Sequence, residues 1–264
     1  MPDNTGAVCI LTEADPQEKA RKARSFRRAV LDGTEQPSRE PPARPSRPDR
    51  PELVSPKELR RRRLGSAEGR AALLHAIAHI ELNAIDLAAD MIARFADATE
   101  VEELRDDFIG DWSSVCDDEA RHFVMITDRL EELGFAYGDF PAHDGLWDAA
   151  MQTRFDIAAR LSIAPLVLEA RGLDVTPGMI TKLEQANDHN SAAILEIIYR
   201  EEIGHVATGM KWLQKVASFR NKNTRILFRG MVREHFRGTV KPPFNDAARE
   251  KAGLSLAYYK DLAP

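Results

Sequence analysis

The chain has 264 residues, an apolar share of 43% and a net charge of −5, which is enough apolar content for one substantial core. Its two cysteines, Cys9 and Cys116, exclude a disulfide framework and any paired-cysteine zinc or rubredoxin-type iron site within the chain, and point to a reducing compartment. No run of about 18 uncharged apolar residues occurs, and the opening MPDNTGAVCILTEADPQEKARKAR lacks a charged-then-apolar leader pattern; the expectation is a soluble, cytoplasmic protein with no membrane span.

Residues 1–66 combine Pro37, Pro41, Pro42, Pro45, Pro48, Pro51 and Pro56 with many arginines and few aromatics. That composition reads as a flexible basic arm, helical at most in patches such as Pro16 to Leu31. From Ala71 onward alanine, leucine and isoleucine recur at three- and four-residue intervals, the pattern of an all-α domain over residues 67–217. A first long helix is expected from Ala67 to Ala96 and a second from Phe108 to Leu133, stopped by Gly134. A third is expected from Leu146 to Ala170, kinked at Pro165 and ending at Arg171-Gly172, with a shorter helix starting at Thr176-Pro177. A fourth should cover Ser191 to Val216. Helices of this length suit a four-helix bundle packed along its whole length. Residues 218–264 should add one short helix around Arg225 to His235 and then an irregular segment that wraps the bundle.

Charge divides along the same lines: roughly +5 over residues 1–70, roughly −16 over 71–217 and roughly +6 over 218–264. Most of the central acids are solvated helix faces on this reading, but a carboxylate-rich cation site would add to them. The basic ends, including the run Arg60 to Arg63, suit a nucleic acid, a membrane surface or an acidic partner, although neither carries a nucleic-acid motif.

Two segments place a carboxylate and an imidazole three residues apart: Glu119 and His122 on the second helix, Glu202 and His205 on the fourth. Three residues advance a helix by about 300° and about 4.5 Å, so both side chains of a pair can reach one metal ion. The first and third helices each carry a glutamate inside an apolar face, Glu81 in AHIELNAIDLAA and Glu169 in IAPLVLEARG. A charged carboxylate buried in a bundle costs several kcal/mol unless it is paired or coordinates a metal. Two divalent cations bridged by the carboxylates remove that cost, and a set of four carboxylates and two imidazoles suits iron, with manganese next, better than copper or structural zinc. Cys116 and Tyr199 each precede a ligand glutamate by three residues and are the candidate redox-active side chains. His75 and His79 lie well around the helix from Glu81 and read as structural or surface residues.

The order Glu, Glu-x-x-His, Glu, Glu-x-x-His on successive helices resembles the ferritin-like di-iron carboxylate superfamily over about Ala71 to Val216. The segment Asp118-Glu119-Ala120-Arg121-His122 is also similar to the Asp-Glu-x-Arg-His motif of bacterial di-iron oxygenases. That resemblance implies that Asp118 orients His205 and that Glu201 orients His122; glutamate at 201 is a departure, since the oxygenases usually carry aspartate there. With its arginine-rich arm and KPPFN tail, the chain further resembles a bacterial ferritin-like family known as domain of unknown function 455, itself distantly similar to the tRNA hydroxylases that oxidise a prenylated adenosine.

The function expected on these grounds is a di-iron oxidoreductase that activates O2 to hydroxylate or otherwise oxidise a small-molecule or modified-nucleotide substrate. An external electron donor is required, because the chain has no flavin or nicotinamide fingerprint and no paired-cysteine iron site. Two alternatives stand beside it: a ferroxidase or iron-handling protein, which would admit a small oligomer, and a nucleic-acid-binding adaptor working through the basic ends.

Overall fold

The computed structural model describes residues 6–35, 40–59 and 63–263, which are predominantly helical with no β-strand among them; one isolated bridge pairs Leu53 with Ala142. Helix α1 spans Ala7–Leu11 and α2 spans Pro16–Leu31. The first long helix, α3, runs Ala67–Phe95 and is capped by Ser66, whose hydroxyl accepts from Gly69 N. Its apolar stretch is long enough to cross a membrane, but 72% of that window is buried inside the fold, which makes it a core helix. A 3₁₀ turn at Glu102–Leu104 leads into α4, Arg105–Glu132. Gly134 follows with φ 82°, a left-handed conformation that glycine adopts without Cβ strain and that ends a helix.

The third helical run departs from expectation. It opens with α5, Gly145–Gln152, then breaks, because Asp156 turns its carboxylate onto Ala158 N and Ala159 N and starts a new helix, α6, Ile157–Ile163. Ala164–Glu169 is a π-helical turn, and α7 continues from Ala170 to Gln185 through both Gly172 and Pro177. The kink anticipated at Pro165 is therefore a widened turn, and the expected stop at Arg171-Gly172 and restart at Thr176-Pro177 do not occur. Pro177 has no N–H to give to the carbonyl four residues before it. That carbonyl, Leu173 O, instead accepts from the side-chain amide of Asn245 at 3.2 Å.

Helix α8, His189–Phe219, starts at Asp188, whose side chain accepts from Ser191 N, and α9 spans Thr224–His235. The segment expected to be irregular then forms two short helices, α10 at Asp246–Lys251 and α11 at Leu256–Tyr259. Contacts fix the packing directions. Ile85 O lies opposite Cys116 and Glu81 opposite His122, so α3 and α4 are antiparallel. Asp111 meets Trp212 while Arg129 meets Ser191, so α4 and α8 are antiparallel too. Gly209 on α8 lets the π-turn come close: a Cβ there would sit 2.5 Å from Pro165 Cβ.

The N-terminal arm is not loose where it is described. Ala20, Ala23 and Phe26 of α2 recur at three-residue steps and are all buried, which makes an apolar stripe that needs a partner. Arg27 fastens α2 to α4, donating to Gly110 O at 2.9 Å and Ser113 Oγ at 3.0 Å. Lys19, fully buried, donates to Asp86 of α3 at 2.5 Å and to Ser46 O at 3.0 Å. The proline-rich stretch runs across the fold by backbone bonds, Ser46 N to Leu11 O and Val54 N to Ala142 O, both 2.8 Å. Of the basic run, Arg60 to Arg62 lie outside the described residues.

Candidate metal centre

The two Glu-x-x-His segments and the lone glutamates converge in the interior. His122 Nδ1 lies 3.2 Å from Glu81 Oε2, 3.5 Å from Glu119 Oε2 and 3.9 Å from Glu202 Oε1. His205 Nδ1 lies 3.1 Å from Glu119 Oε1 and 3.4 Å from Glu202 Oε1. One ligand atom from each of Glu81, Glu119, His122 and Glu202 falls within 4.8 Å of the others. Glu169, at the end of the π-turn, is not among those four; burial, and after it the charges of Glu202 and Glu119, raise its carboxyl. Glu81, Glu119, His122 and His205 are all buried.

Both imidazoles turn Nδ1 inward and Nε2 outward. His122 Nε2 is 2.6 Å from Glu201 Oε2, and His205 Nε2 is 3.4 Å from Asp118 Oδ2. These are the pairings the motif resemblance implies, and an imidazole whose outer N–H is held by a carboxylate offers the other nitrogen as a ligand. Arg121 joins the two outer acids, donating to Asp118 Oδ1 at 2.8 Å and Glu201 Oε2 at 2.7 Å. That role was not read from the sequence, although Arg121 stands inside the quoted segment.

The side chains of the group shift one another's protonation strongly. Burial works against a charged His122, but the carboxylates of Glu119 and Glu81 beside its Nδ1 override it and lift the imidazole to about 11. His205 is raised as well, burial being outweighed by the charges of Glu202 and Glu119. Burial first, and neighbouring carboxylates second, push Glu81, Glu169 and Glu202 above the usual carboxylate range. Glu119 goes the other way: burial is overcome by the charge of His205 and by the closeness of both imidazoles, which hold its carboxylate below the usual range.

The residues fit a metal ion on a direct observation. Both oxygens of Glu119, Oε2 of Glu169 and Nδ1 of His205 are buried with no hydrogen-bond partner, a costly state for polar atoms that a coordinated cation relieves. The donor set of carboxylate oxygens and imidazole nitrogens suits iron or manganese.

The candidate redox side chains are engaged elsewhere. Cys116 is buried with Sγ 3.6 Å from Ile85 O, and burial, then the charges of Asp86 and Glu119, raise its thiol well above the ordinary value, so it is a neutral packing residue rather than a nucleophile. Tyr199 accepts from Asn245 Nδ2 at 2.8 Å through its hydroxyl, which ties α8 to the C-terminal segment. His79 holds the loop after α4, with Nδ1 2.8 Å from Tyr137 OH and Nε2 3.2 Å from His143 O.

Fold and site together define an all-helical protein with a buried carboxylate–histidine cluster able to hold metal. Comparison with known families is specific: a family model described as "Protein of unknown function (DUF455)" matches residues 12–260, and the chain belongs to that family. A protein of Haemophilus influenzae, described as "Uncharacterized protein", is 41% identical over 210 residues, covering 79% of this chain and 73% of the relative. No solved structure matches significantly.

Proposed function

We propose that the chain is a ferritin-like four-helix bundle holding two iron ions on Glu81, Glu119, His122, Glu169, Glu202 and His205, and that it is an O2-dependent oxidoreductase. The observation that carries this reading is the paired geometry of His122 and His205, each with Nδ1 on the buried glutamates and Nε2 on an outer carboxylate. When bound, the irons would supply reduction of O2, with one oxygen atom going to the organic substrate and the other leaving as water, on two electrons from an external donor.

The protein's own residues prepare that chemistry. Glu201 and Asp118 keep the outer protons of the imidazoles in place, and Arg121 bridges the two acids and offsets part of their charge. Ile163, Leu166, Val167 and Ile198 are buried and keep water from the interior. The π-turn sets the backbone that carries Glu169, and such turns recur at functional sites.

The test is metal content by mass spectrometry on tag-free protein, followed by anaerobic Fe(II) loading and stopped-flow mixing with O2. About two irons per chain and a transient visible absorption are expected. Neither iron nor manganese bound after loading would overturn the metal-centre reading. Stoichiometric Fe(II) oxidation with release of the ferric product would favour iron handling over substrate oxidation.

A further inference from the structure

The C-terminal segment lies across the outside of the π-turn and leaves a cavity of about 120 Å³ beneath it. Leu166 and Val167 form its floor, and Phe228 and Phe244 are among its walls. An engineered apolar cavity of about 150 Å³ admits benzene, so this one has room for an apolar group of about four to six carbon atoms.

One end of the cavity is cationic. Arg249, only 3% exposed, donates from Nε and Nη2 to Asp174 at 2.8 and 2.7 Å, which leaves Nη1 without a hydrogen-bond partner among the described residues. The guanidinium is held flat by Phe244 and Tyr259, with ring centroids 5.2 and 4.5 Å away. Arg171 and Lys241 line the same end. Arg171 donates from Nη1 to Lys241 O and Pro243 O, both 2.9 Å, and Lys241 is exposed. The one acid among the lining residues, Asp174, is already taken by Arg249, Arg171 and Asn245 N, and Lys241 adds an exposed cation to the lining. A buried guanidinium with a free donor beside an apolar chamber is built to receive an anionic oxygen.

We propose that this cavity binds a compact apolar group ending in an anionic oxygen function, a carboxylate or a phosphate, which Arg249 Nη1 and Lys241 hold. Arg249 Nη2 also reaches Ala170 O at 3.4 Å, and Ala170 follows Glu169. A ligand here therefore rests against the backbone that carries a proposed iron ligand. Its role as substrate for the iron centre rests on the function proposed above; its binding does not.

The experiment is isothermal titration of the full chain, metal-free and iron-loaded, with 3-methylbutanoate, 3-methylbutyl phosphate and the cationic isostere 3-methylbutylamine. At least one of the two anions is expected to bind with a dissociation constant of about 1 mM or tighter, and the stronger of them identifies the head group. The amine is expected not to bind. Lys241→Glu alters an exposed side chain and should weaken the anion about tenfold with unchanged melting temperature and metal content, and Val167→Phe should fill the chamber and abolish binding in protein that still folds. Failure of both anions, equal binding of the amine, or retention of binding in folded Val167→Phe overturns the proposal. Because metal-free protein is titrated alongside, loss of the metal reading and loss of this one are read separately.

Discussion

Removing the outer carboxylates should weaken metal binding unequally. Glu201 is 2.6 Å from His122 Nε2 and Asp118 is 3.4 Å from His205 Nε2; the first is a short charge-assisted bond and the second lies near the limit of one. Loss of such a partner typically costs 10- to 100-fold in metal affinity, or about 1.4 to 2.7 kcal/mol. Glu201→Ala should fall at the upper end of that range, because His122 loses the acceptor that keeps its proton on Nε2 and its ring is freed to turn. Asp118→Ala should fall at the lower end. Arg121 buffers both changes, since it keeps one acid when the other is gone. Competition against a chromophoric chelator under anaerobic conditions resolves the two constants, with melting temperature as a control on folding. Equal losses in both variants, or affinity unchanged in Glu201→Ala, would refute the argument that these acids orient the ligands.

Other outcomes follow from the packing. Lys19→Met leaves Asp86 buried with only Arg47, 2.9 Å away, and should destabilise the fold by up to about 3 kcal/mol in urea titrations; a loss under about 1 kcal/mol would mean that α2 is only loosely attached. Gly209→Ala puts a Cβ 2.5 Å from Pro165 and should cost about 1–3 kcal/mol while lowering metal stoichiometry, both measured on the same preparation. His75, lowered by burial from 6.5 to about 4, stays neutral in the fold while accepting from Gly138 N. The unfolded chain then binds the extra proton first, so His75 contributes fully above pH 6.5 and loses about 3 kcal/mol as pH falls toward 4. His75→Phe should flatten stability over that interval; an unchanged slope would remove His75 as its source. Glu119→Gln should abolish metal uptake, since its two unpartnered oxygens face both imidazoles, and retained metal would displace Glu119 from the centre.

The buried carboxylate–histidine cluster is legible in the sequence because its residues stand at fixed helical spacing. Glu119 with His122 and Glu202 with His205 stand three residues apart, and Glu81 and Glu169 are conspicuous as acids in apolar runs. The outer pairings came from the resemblance carried by Asp118 to His122, not from spacing alone. The arm was misjudged because its prolines and arginines outweighed the short stripe of Ala20, Ala23 and Phe26. Lys19 reads as a surface cation until Asp86, 67 residues away, is brought to it. Pro177 was taken for a helix start because local rules assign it that position; the donor that lets the helix pass through it, Asn245, is distant in sequence. The third helix was expected to run unbroken through Asp156, whose carboxylate instead caps a new helix.

The π-turn has a consequence for the angular setting of everything beyond it. A wide turn absorbs one residue more than an α-helical turn of the same height, and one residue corresponds to about 100° of rotation. If Ala164–Glu169 wound as ordinary α-helix with the same sequence, Glu169 and the whole of α7 would be turned by about that angle relative to α6. The glutamate would leave the cluster, and Asp174 and Leu173 would lose their alignment with Arg249 and Asn245. One supernumerary residue thus acts as a phase adjuster, letting the helix before it serve the core and the helix after it serve the C-terminal segment.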